Sequence, residues 1–284
     1  MSRERPGFTI DRILVALDGS SHSLAALEAA LDLADRFGAE VTGIFVEDEN
    51  LLRLAGLPFV SEIGGFTAAR RAIDGPEMER QVRAQSRRVR QVFARTTRRA
   101  QVTCSFRIAR GAVLQEVLAA ASEADMIVLG RRGSSLRQRG RLGSTVLGIL
   151  PEPLGLALIL KEGTGLGDPV AVVYDGSRGE DRALSVAASL RRQPQEDRSL
   201  LALLVAVEPS AAQKLREQVA ARVSDPDAAV HYFLLTSTNV QRWAELLQQE
   251  SCGGLVLPAR SGTLGRNRIA QLLEILDVPV LLVS

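Results

Sequence analysis

Residues 12–38, RILVALDGSSHSLAALEAALDLADRFG, decide the fold of this chain. The run from Ile13 to Leu17 is entirely apolar, as expected of a strand that is covered on both faces. The turn Asp18-Gly19-Ser20-Ser21 supplies helix-capping side chains. Apolar residues then recur at helical spacing until Gly38, which suits a helix C-cap. The stretch predicts a strand, a tight turn and a helix that packs back on the strand.

The same pattern returns at residues 169–192, PVAVVYDGSRGEDRALSVAASLRR. The two stretches begin at residues 12 and 169, so the pattern recurs after more than 150 residues, which indicates a duplicated domain rather than the short unit of a solenoid. Each copy also ends in a proline followed by an apolar run, at Pro153 and at Pro279. Later segments of the two copies match as candidate strands: 40–48 with 199–209, 101–111 with 229–238, and 124–133 with 252–262.

Strands that alternate with helices predict an α/β fold, because each helix crosses over between parallel strands. We therefore expect two tandem domains, each a doubly wound parallel sheet of five strands. The boundaries are placed at residues 1–162 and 168–284, with the glycine-rich linker KEGTGLGD between them.

The composition excludes several classes of protein. The chain has 284 residues, of which 46% are hydrophobic and 24% charged, with a formal net charge of +2. These values indicate a globular protein rather than a general nucleic-acid binder. No apolar run reaches the roughly 18 residues that a bilayer requires, so no membrane insertion is expected. Cys104 and Cys252 lack metal or disulfide spacing, which favours a cytoplasmic location.

The stretch LGRRGSSLRQRGRLGST, residues 129–145, follows the fourth strand of the first copy. Ligands of such sheets bind beyond the carboxyl ends of the strands. Its glycines let a backbone approach phosphate oxygens, and the amides at the start of the next helix would add an anion site. The stretch is neither a Walker loop nor a GxGxxG fingerprint. The alternative is a plain strand-to-helix connection, with Asp18 as a turn former only.

The arginines of this stretch have two interpretations. They would clamp phosphates, or they would be solvated loop residues. The residues concerned are Arg131, Arg132, Arg137, Arg139 and Arg141.

The spacing Gly130-x-x-Gly133, nine residues, then Gly143-Ser144, together with the aspartate of VALDGS and the duplication, resembles the universal stress protein family in its tandem form. The resemblance covers nearly the whole chain. It implies the strand order 3-2-1-4-5 and a site for ATP or AMP, with Mg²⁺ as an optional companion. It places the adenine near Ala16, Asp18 and Val46, the ribose and phosphate side along Leu129, Gly130 and Gly133, and the phosphates at Gly143, Ser144 and Thr145.

The second copy departs from this pattern. Pro258 and Ser261 stand where the first copy has Gly130 and Gly133, and the counterparts of Gly143 and Ser144 fall near Ile269–Ala270. Proline has no amide hydrogen to donate, and larger side chains would fill the phosphate space. We expect a degenerate site in this half, although Gly262 and Gly265 leave room for some anion.

Two further segments bear on partners. The apolar insertion at residues 48–75 has three interpretations: a lid over the site, a contact with a partner, or a loop packed on its own domain. The arginine-rich segment 77–99 lacks interleaved aromatic residues, so a solvated amphipathic helix is favoured over a nucleic-acid surface.

These observations predict a cytoplasmic stress-response regulator that binds an adenine nucleotide at one working site. Any hydrolysis is expected to be slow, since the sequence offers neither a positioned base nor a P-loop lysine. One alternative is a nucleotide-free interaction scaffold whose two sites are both vestigial. The other is an adenylate-transferring or phosphatase-like enzyme.

The resemblance also implies how the domains associate. Leu156–Leu160 should pair with Val280–Val283 inside one chain. Two such chains would then form a homodimer, and the protein partner stays unknown.

Overall fold

The structure is a computed structural model that describes residues 9–55, 61–63, 70–72, 75–133, 142–190, 200–223, 230–237, 239–260 and 264–284. The N-terminal half contains β1 (Arg12–Ala16), α1 (Ser21–Phe37), β2 (Glu40–Asp48), α2 (Glu49–Ala55), β3 (Ser61–Ile63), β4 (Arg70–Ala72), α3 (Gly75–Thr97), β5 (Cys104–Gly111), α4 (Val113–Ala121), β6 (Met126–Gly130), α5 (Ser144–Ile149) and β7 (Leu156–Leu160). The C-terminal half contains β8 (Val170–Tyr174), α6 (Arg178–Leu190), β9 (Leu200–Val205), α7 (Pro209–Arg222), β10 (Val230–Leu235), α8 (Val240–Gln249), β11 (Gly254–Pro258), α9 (Arg266–Ile275) and β12 (Val280–Val283).

The two halves share one ten-stranded sheet with the order β10-β9-β8-β11-β12-β7-β6-β1-β2-β5. Within each half the strands follow the order 3-2-1-4-5, which confirms the predicted fold class. The halves meet where β7 pairs with β12 in antiparallel register, for example Leu158 with Leu281. The predicted pairing of Leu156–Leu160 with Val280–Val283 is therefore confirmed.

Two hydrophobic cores, one on each face of the sheet, run through both halves. One core joins Val15 of β1 to Val172 of β8 beneath α1, α3, α6 and α7. The other joins Leu14 to Val173 beneath α4, α5, α8 and α9. Because strand residues alternate between the two faces, every central strand contributes to both cores.

Helix α1 forms as its sequence predicts. The Ser20 hydroxyl accepts a hydrogen bond from the Ser23 amide at 3.1 Å, and Gly38 closes the helix in the left-handed conformation with φ of 72°. Many of its buried residues are alanines, which bring the helix close to the sheet.

Helix α3 crosses the same face and buries Val82, Val89 and Phe93. Its arginines at 83, 87, 88, 90 and 95 are exposed, as in the predicted amphipathic helix.

The insertion forms α2 and the short antiparallel hairpin of β3 and β4. The parts of the insertion at residues 56–60, 64–69 and 73–74 lie outside the described residues. None of the helices in the described ranges has the length and apolarity that crossing a bilayer requires.

Candidate functional site

A cleft of about 470 Å³ opens at the carboxyl ends of β1, β2 and β6. Strand β1 pairs with β2, the next strand in the chain, on one side and with β6 on the other side. The strand order therefore reverses between β1 and β6, and open α/β sheets bind their ligands at such a position. The volume lies within the range of small-molecule pockets.

All nine residues that the sequence singles out line this one cleft. Residues 16, 18 and 46 come from the ends of β1 and β2, and residues 129, 130 and 133 come from the end of β6 and the loop after it. Residues 143–145 come from the start of α5. The nine are Ala16, Asp18, Val46, Leu129, Gly130, Gly133, Gly143, Ser144 and Thr145.

Asp18 is fixed at the end of β1 by its neighbours. Its Oδ1 accepts a hydrogen bond from the Ser20 amide at 3.0 Å, and its carbonyl oxygen accepts one from Gln85 Nε2 at 2.9 Å. An aspartate that bonds the amide two residues ahead forms a tight turn. Helix α3 thus braces the turn through Gln85, a contact that joins residues far apart in the sequence.

The glycines at the end of β6 allow close approach of main chains. A Cβ on Gly130 would lie 2.7 Å from the carbonyl carbon of His22, so no side chain fits at this position. A Cβ on Gly133 would lie 3.1 Å from Asp18 Oδ2. Packing within the protein therefore already requires glycine at the first of these positions and favours it at the second.

Gly143 differs from the other two glycines. Its φ of −62° and ψ of 147° suit any residue, and the nearest atom to an added Cβ is 3.5 Å away. None of the described residues demands glycine at this position in the wall of the cleft. The Gly143 amide donates to the Arg131 carbonyl oxygen at 3.0 Å. This amide is therefore paired within the protein, which leaves the predicted anion site to the amides of Ser144 and Thr145.

The arginines of the loop separate into three cases. Arg132 lines the cleft, as expected of a residue that clamps phosphate. Arg131 is 5% exposed, and its guanidinium donates to the carbonyl oxygens of Leu273 and Leu276 in the C-terminal half. The prediction of a phosphate clamp or solvated residue is thus wrong for Arg131. The other three, at 137, 139 and 141, lie outside the described residues.

Three apolar residues of the cleft, Val113 and Val117 of α4 and Ile44 of β2, escaped the sequence analysis. Asp48 and Leu51, which lie in the predicted insertion, line the cleft as well. The two valines lie four residues apart on one helix face, and this spacing signals burial but not a cleft. Because Leu51 belongs to α2, the start of the insertion borders the cleft, as its interpretation as a lid expects.

The corresponding corner of the C-terminal half is filled differently. Glu180, the counterpart of Ser23, is fully buried, and its carboxylate accepts a hydrogen bond from the Asp175 amide. Pro258 ends β11 where Gly130 ends β6. Gly265 caps α9 as Gly143 caps α5. The sequence-based match of Gly143 to Ile269–Ala270 is therefore wrong, because those residues lie within α9.

The comparisons with known proteins agree with this architecture. The family model described as "Universal stress protein family" matches residues 9–150. No curated protein matches the chain. A universal stress protein from Archaeoglobus fulgidus DSM 4304 has a similar structure, with a TM-score of 0.72, 19% identity, and 98% of this chain and 99% of that chain covered.

Two further solved structures are similar. A putative universal stress protein from Pseudomonas aeruginosa UCBPP-PA14 gives a TM-score of 0.57 at 16% identity and covers 96% of this chain and 93% of its own. A universal stress protein in complex with cAMP gives a TM-score of 0.35 at 17% identity and covers 55% of this chain and all of its own. The family model spans half of the sequence and the duplicated fold spans the rest, so this chain belongs to the universal stress protein family.

Proposed function

We propose that the N-terminal half binds an adenine nucleotide, ATP or AMP, in the cleft at the ends of β1, β2 and β6. The C-terminal half binds none, and the protein acts as a cytoplasmic stress-response regulator in which nucleotide binding shifts association with a protein partner. The observation that carries this proposal is the convergence of all nine predicted residues on one cleft.

The chemistry of the cleft suits the two ends of a nucleotide. Ile44, Val46 and Val113 offer an apolar surface for a flat base. Arg132 and the hydroxyls of Ser144 and Thr145 lie on the side where an anionic tail would extend. The amides in the first turn of α5 have no acceptor within that helix, and they add further donors.

Gly143 adds support by its place in the wall of the cleft. No described atom lies closer than 3.5 Å to its missing side chain, and a phosphate group next to the α5 terminus would occupy this space. Gly265 has open space as well, so the position in the cleft, not the open space alone, points to a ligand. By contrast, the packing requirement at Gly130 and Gly133 would exist in a nucleotide-free scaffold as well.

A bound nucleotide would be hydrolysed slowly. The carboxylates in the cleft, Asp18 and Asp48, suit ribose hydroxyls or a Mg²⁺ carried by the phosphates. Asp18 Oδ1 is committed to its turn, and Asp48 Oδ1 accepts a hydrogen bond from the Asn50 amide at 3.0 Å, so both carboxylates serve the local backbone rather than a proton transfer. Binding, rather than turnover, is the function that these residues support.

Replacement of Gly143 by alanine tests the proposal. The new methyl group meets only ordinary contacts within the protein, so Gly143→Ala should fold normally. It should raise the dissociation constant of ATP about tenfold, equivalent to about 1.4 kcal/mol, by intruding on the phosphate. Isothermal titration calorimetry with ATP and with AMP measures the change.

Gly265→Ala is the matched control. Gly265 has nearly the same backbone conformation, with φ of −68° and ψ of 159°, and open space around its missing side chain. This variant should bind ATP as the wild type does, with one site per chain. Absence of heat with wild-type protein at millimolar ATP and AMP would instead favour the scaffold.

A further inference from the structure

Arg131 is a buried cation that the nucleotide site itself does not use. Among the described residues, four polar or charged side chains are buried, and Arg131 is the one that carries a positive charge. It directly follows Gly130, yet its side chain turns away from the cleft and into the C-terminal half. There Nη1 donates to the carbonyl oxygens of Leu273 at 3.1 Å and Leu276 at 2.5 Å.

Those carbonyls belong to the carboxyl end of α9. The end of a helix carries unpaired carbonyls and a partial negative charge, which a guanidinium neutralises. Asp277 and Glu274 lie nearby and add negative charge, and Lys161 pairs with Asp277 at 2.6 Å. Burial lowers the pKa of Arg131, but a guanidinium stays protonated in proteins. The helix end therefore holds a charged group firmly.

The main chain of Arg131 fixes the two described ends of the glycine loop, residues 129–145, at 129–133 and 142–145. Its amide donates to the Leu160 carbonyl oxygen at 2.6 Å, which extends the pairing of β6 with β7. Its carbonyl oxygen accepts from the Gly143 amide at 3.0 Å, which ties the end of the loop to its beginning. One residue thus links Gly130, Gly143 and the C-terminal half.

The position after β11 that corresponds to Arg131 carries no such anchor. Ala259 occupies the corresponding position after β11, and its amide makes the matching bond, to Val283 at 2.7 Å. The methyl side chain of Ala259 has no donor that could hold the end of α5. The C-terminal half therefore supports the loop of the N-terminal half without receiving the same support.

We propose that Arg131 is a positioning residue through which the C-terminal half holds the glycine loop of the N-terminal half in its nucleotide-binding geometry. The inference rests on the proposed function. It gives the C-terminal half a structural role in nucleotide binding, because the carboxyl end of α9 then supports the loop. By linkage, nucleotide bound at the loop strengthens the contact between the halves.

The test compares two arginines with the same chemistry. Arg131→Met removes the guanidinium but keeps an apolar stem. Arg36→Met is the matched control, because Arg36 also holds a helix end of the other half, through the carbonyl oxygens of Leu190 at 2.6 Å and Ser189 at 2.9 Å. Arg36 lies on α1, and these two bonds involve no residue of the loop.

Arg131→Met should raise the dissociation constant of ATP about tenfold, as expected for loss of hydrogen bonds to a charged group. In the protein without nucleotide, the Gly143 amide should also exchange its hydrogen faster. Arg36→Met should lower the unfolding temperature but change neither the ATP affinity nor this exchange rate. Calorimetry and amide exchange by mass spectrometry give both results.

Equal ATP affinity and equal exchange in Arg131→Met and wild type would overturn the inference. If Arg131→Met does not fold, Arg131→Lys decides, because its ammonium reaches one carbonyl and should give intermediate affinity and exchange. Wild-type values in that variant would also overturn the inference. Wild-type protein that binds no ATP would refute the proposed function instead, and the exchange measurement would still test the support of the loop.

Discussion

The same turn ends β1 in the N-terminal half and β8 in the C-terminal half, but only the first turn opens onto the cleft described above. Asp18 accepts from the Ser20 amide at 3.0 Å, and Asp175 accepts from the Ser177 amide at 2.9 Å. The aspartate is therefore a structural feature of the turn in both halves. What differs is the set of residues that surround it.

Three paired positions differ between the two corners. Ser23, His22 and Gly130 in the N-terminal half correspond to Glu180, Gly179 and Pro258 in the C-terminal half. Ser23 and Gly130 are smaller than their counterparts and leave the corner open, whereas the carboxylate of Glu180 is buried against the Asp175 amide. The comparison teaches that a retained turn does not by itself keep the corner beside it open.

Neighbouring bonds strengthen the closed corner. The Tyr174 hydroxyl donates to Asp181 Oδ1 at 2.7 Å, and Arg222 pairs with the same carboxylate at 2.8 Å. Burial raises the pKa of Tyr174, and its bond to Asp181 raises that pKa further, so the hydroxyl stays a donor. These side chains hold β8, α6 and α7 together, with Tyr174 buried and the pair of Asp181 and Arg222 partly exposed.

The largest effect is expected when the closed corner is copied into the open one. In Ser23→Glu, the new carboxylate should reach the Asp18 amide, as that of Glu180 reaches Asp175. It would fill the cleft and repel phosphate, so ATP affinity should fall about a hundredfold, or about 2.7 kcal/mol. Calorimetry measures the loss, and Ser23→Gln, which has the same shape without the charge, separates filling from repulsion.

The reverse exchange sharpens the same comparison. Glu180→Ser should not create a second site, because Pro258 and the shorter loop before α9 remain. The stoichiometry should stay at one nucleotide per chain. Two nucleotides bound per chain of Glu180→Ser would show that Glu180 alone closes the C-terminal corner. An undiminished ATP affinity of Ser23→Glu would show that the difference between the halves lies at other residues.

The second prediction concerns the contact between the strand end and the helix start. In the N-terminal half a Cβ on Gly130 would lie 2.7 Å from the main chain of His22. In the C-terminal half a Cβ on Gly179 would come no closer than 3.4 Å to the Arg260 carbonyl oxygen and 3.8 Å to Pro258. The same substitution should therefore have opposite effects in the two halves.

Gly130→Ala should destabilise the protein by about 1–3 kcal/mol, the cost of forcing a methyl group into a packed contact. Gly179→Ala should stabilise it by about 0.5–1 kcal/mol, because alanine favours the helix. Urea unfolding followed by circular dichroism gives both values. A stabilising Gly130→Ala would mean that the strand end does not approach α1 as closely as described.

Much of the fold was predictable from the sequence. Strands such as Val170–Tyr174 are continuous apolar runs, and their helices begin and end at recognisable caps, so element type and order follow from local chemistry. The pairing of β7 with β12 followed only from the family resemblance. The meeting of Asp18, Val46 and the loop that begins at Gly130 was predictable because the carboxyl ends of parallel strands lie at one edge of the sheet. The other predicted residues of the cleft followed from the family resemblance.

The rest depends on contacts between distant residues. Gln85 reaches Asp18 from α3, and Arg131 reaches Leu276 across the junction of the halves. Nothing near these residues in the sequence indicates where their side chains point. The glycine that caps α9 was mismatched for a related reason, since counting along the chain ignores the shorter loop.

The smallest effect is a pH dependence confined to the open corner. His22 Nδ1 accepts a hydrogen bond from the Glu162 amide at 2.9 Å. Burial lowers the pKa of His22; Glu162 and Asp18 raise it, whereas Arg132 and Arg131 lower it further. As the pH falls, His22 of the unfolded chain takes up its proton at a higher pH than His22 of the folded protein. The stabilisation that neutral His22 contributes is therefore complete above about pH 6.5 and is lost as the pH falls below that value. The counterpart, Gly179, cannot titrate.

The unfolding free energy of the wild type should therefore fall more than that of His22→Gln between about pH 7.5 and 5.5, the interval around the ordinary histidine pKa. Urea unfolding at both pH values measures the two changes. The lowered pKa of Asp277, caused mainly by its bond to Lys161, acts only at more acidic pH and does not interfere. An equal fall in both proteins would show that His22 takes up its proton as readily in the folded corner as in the unfolded chain. Its bond to the Glu162 amide would then contribute nothing that depends on pH, and the open and closed corners would respond alike.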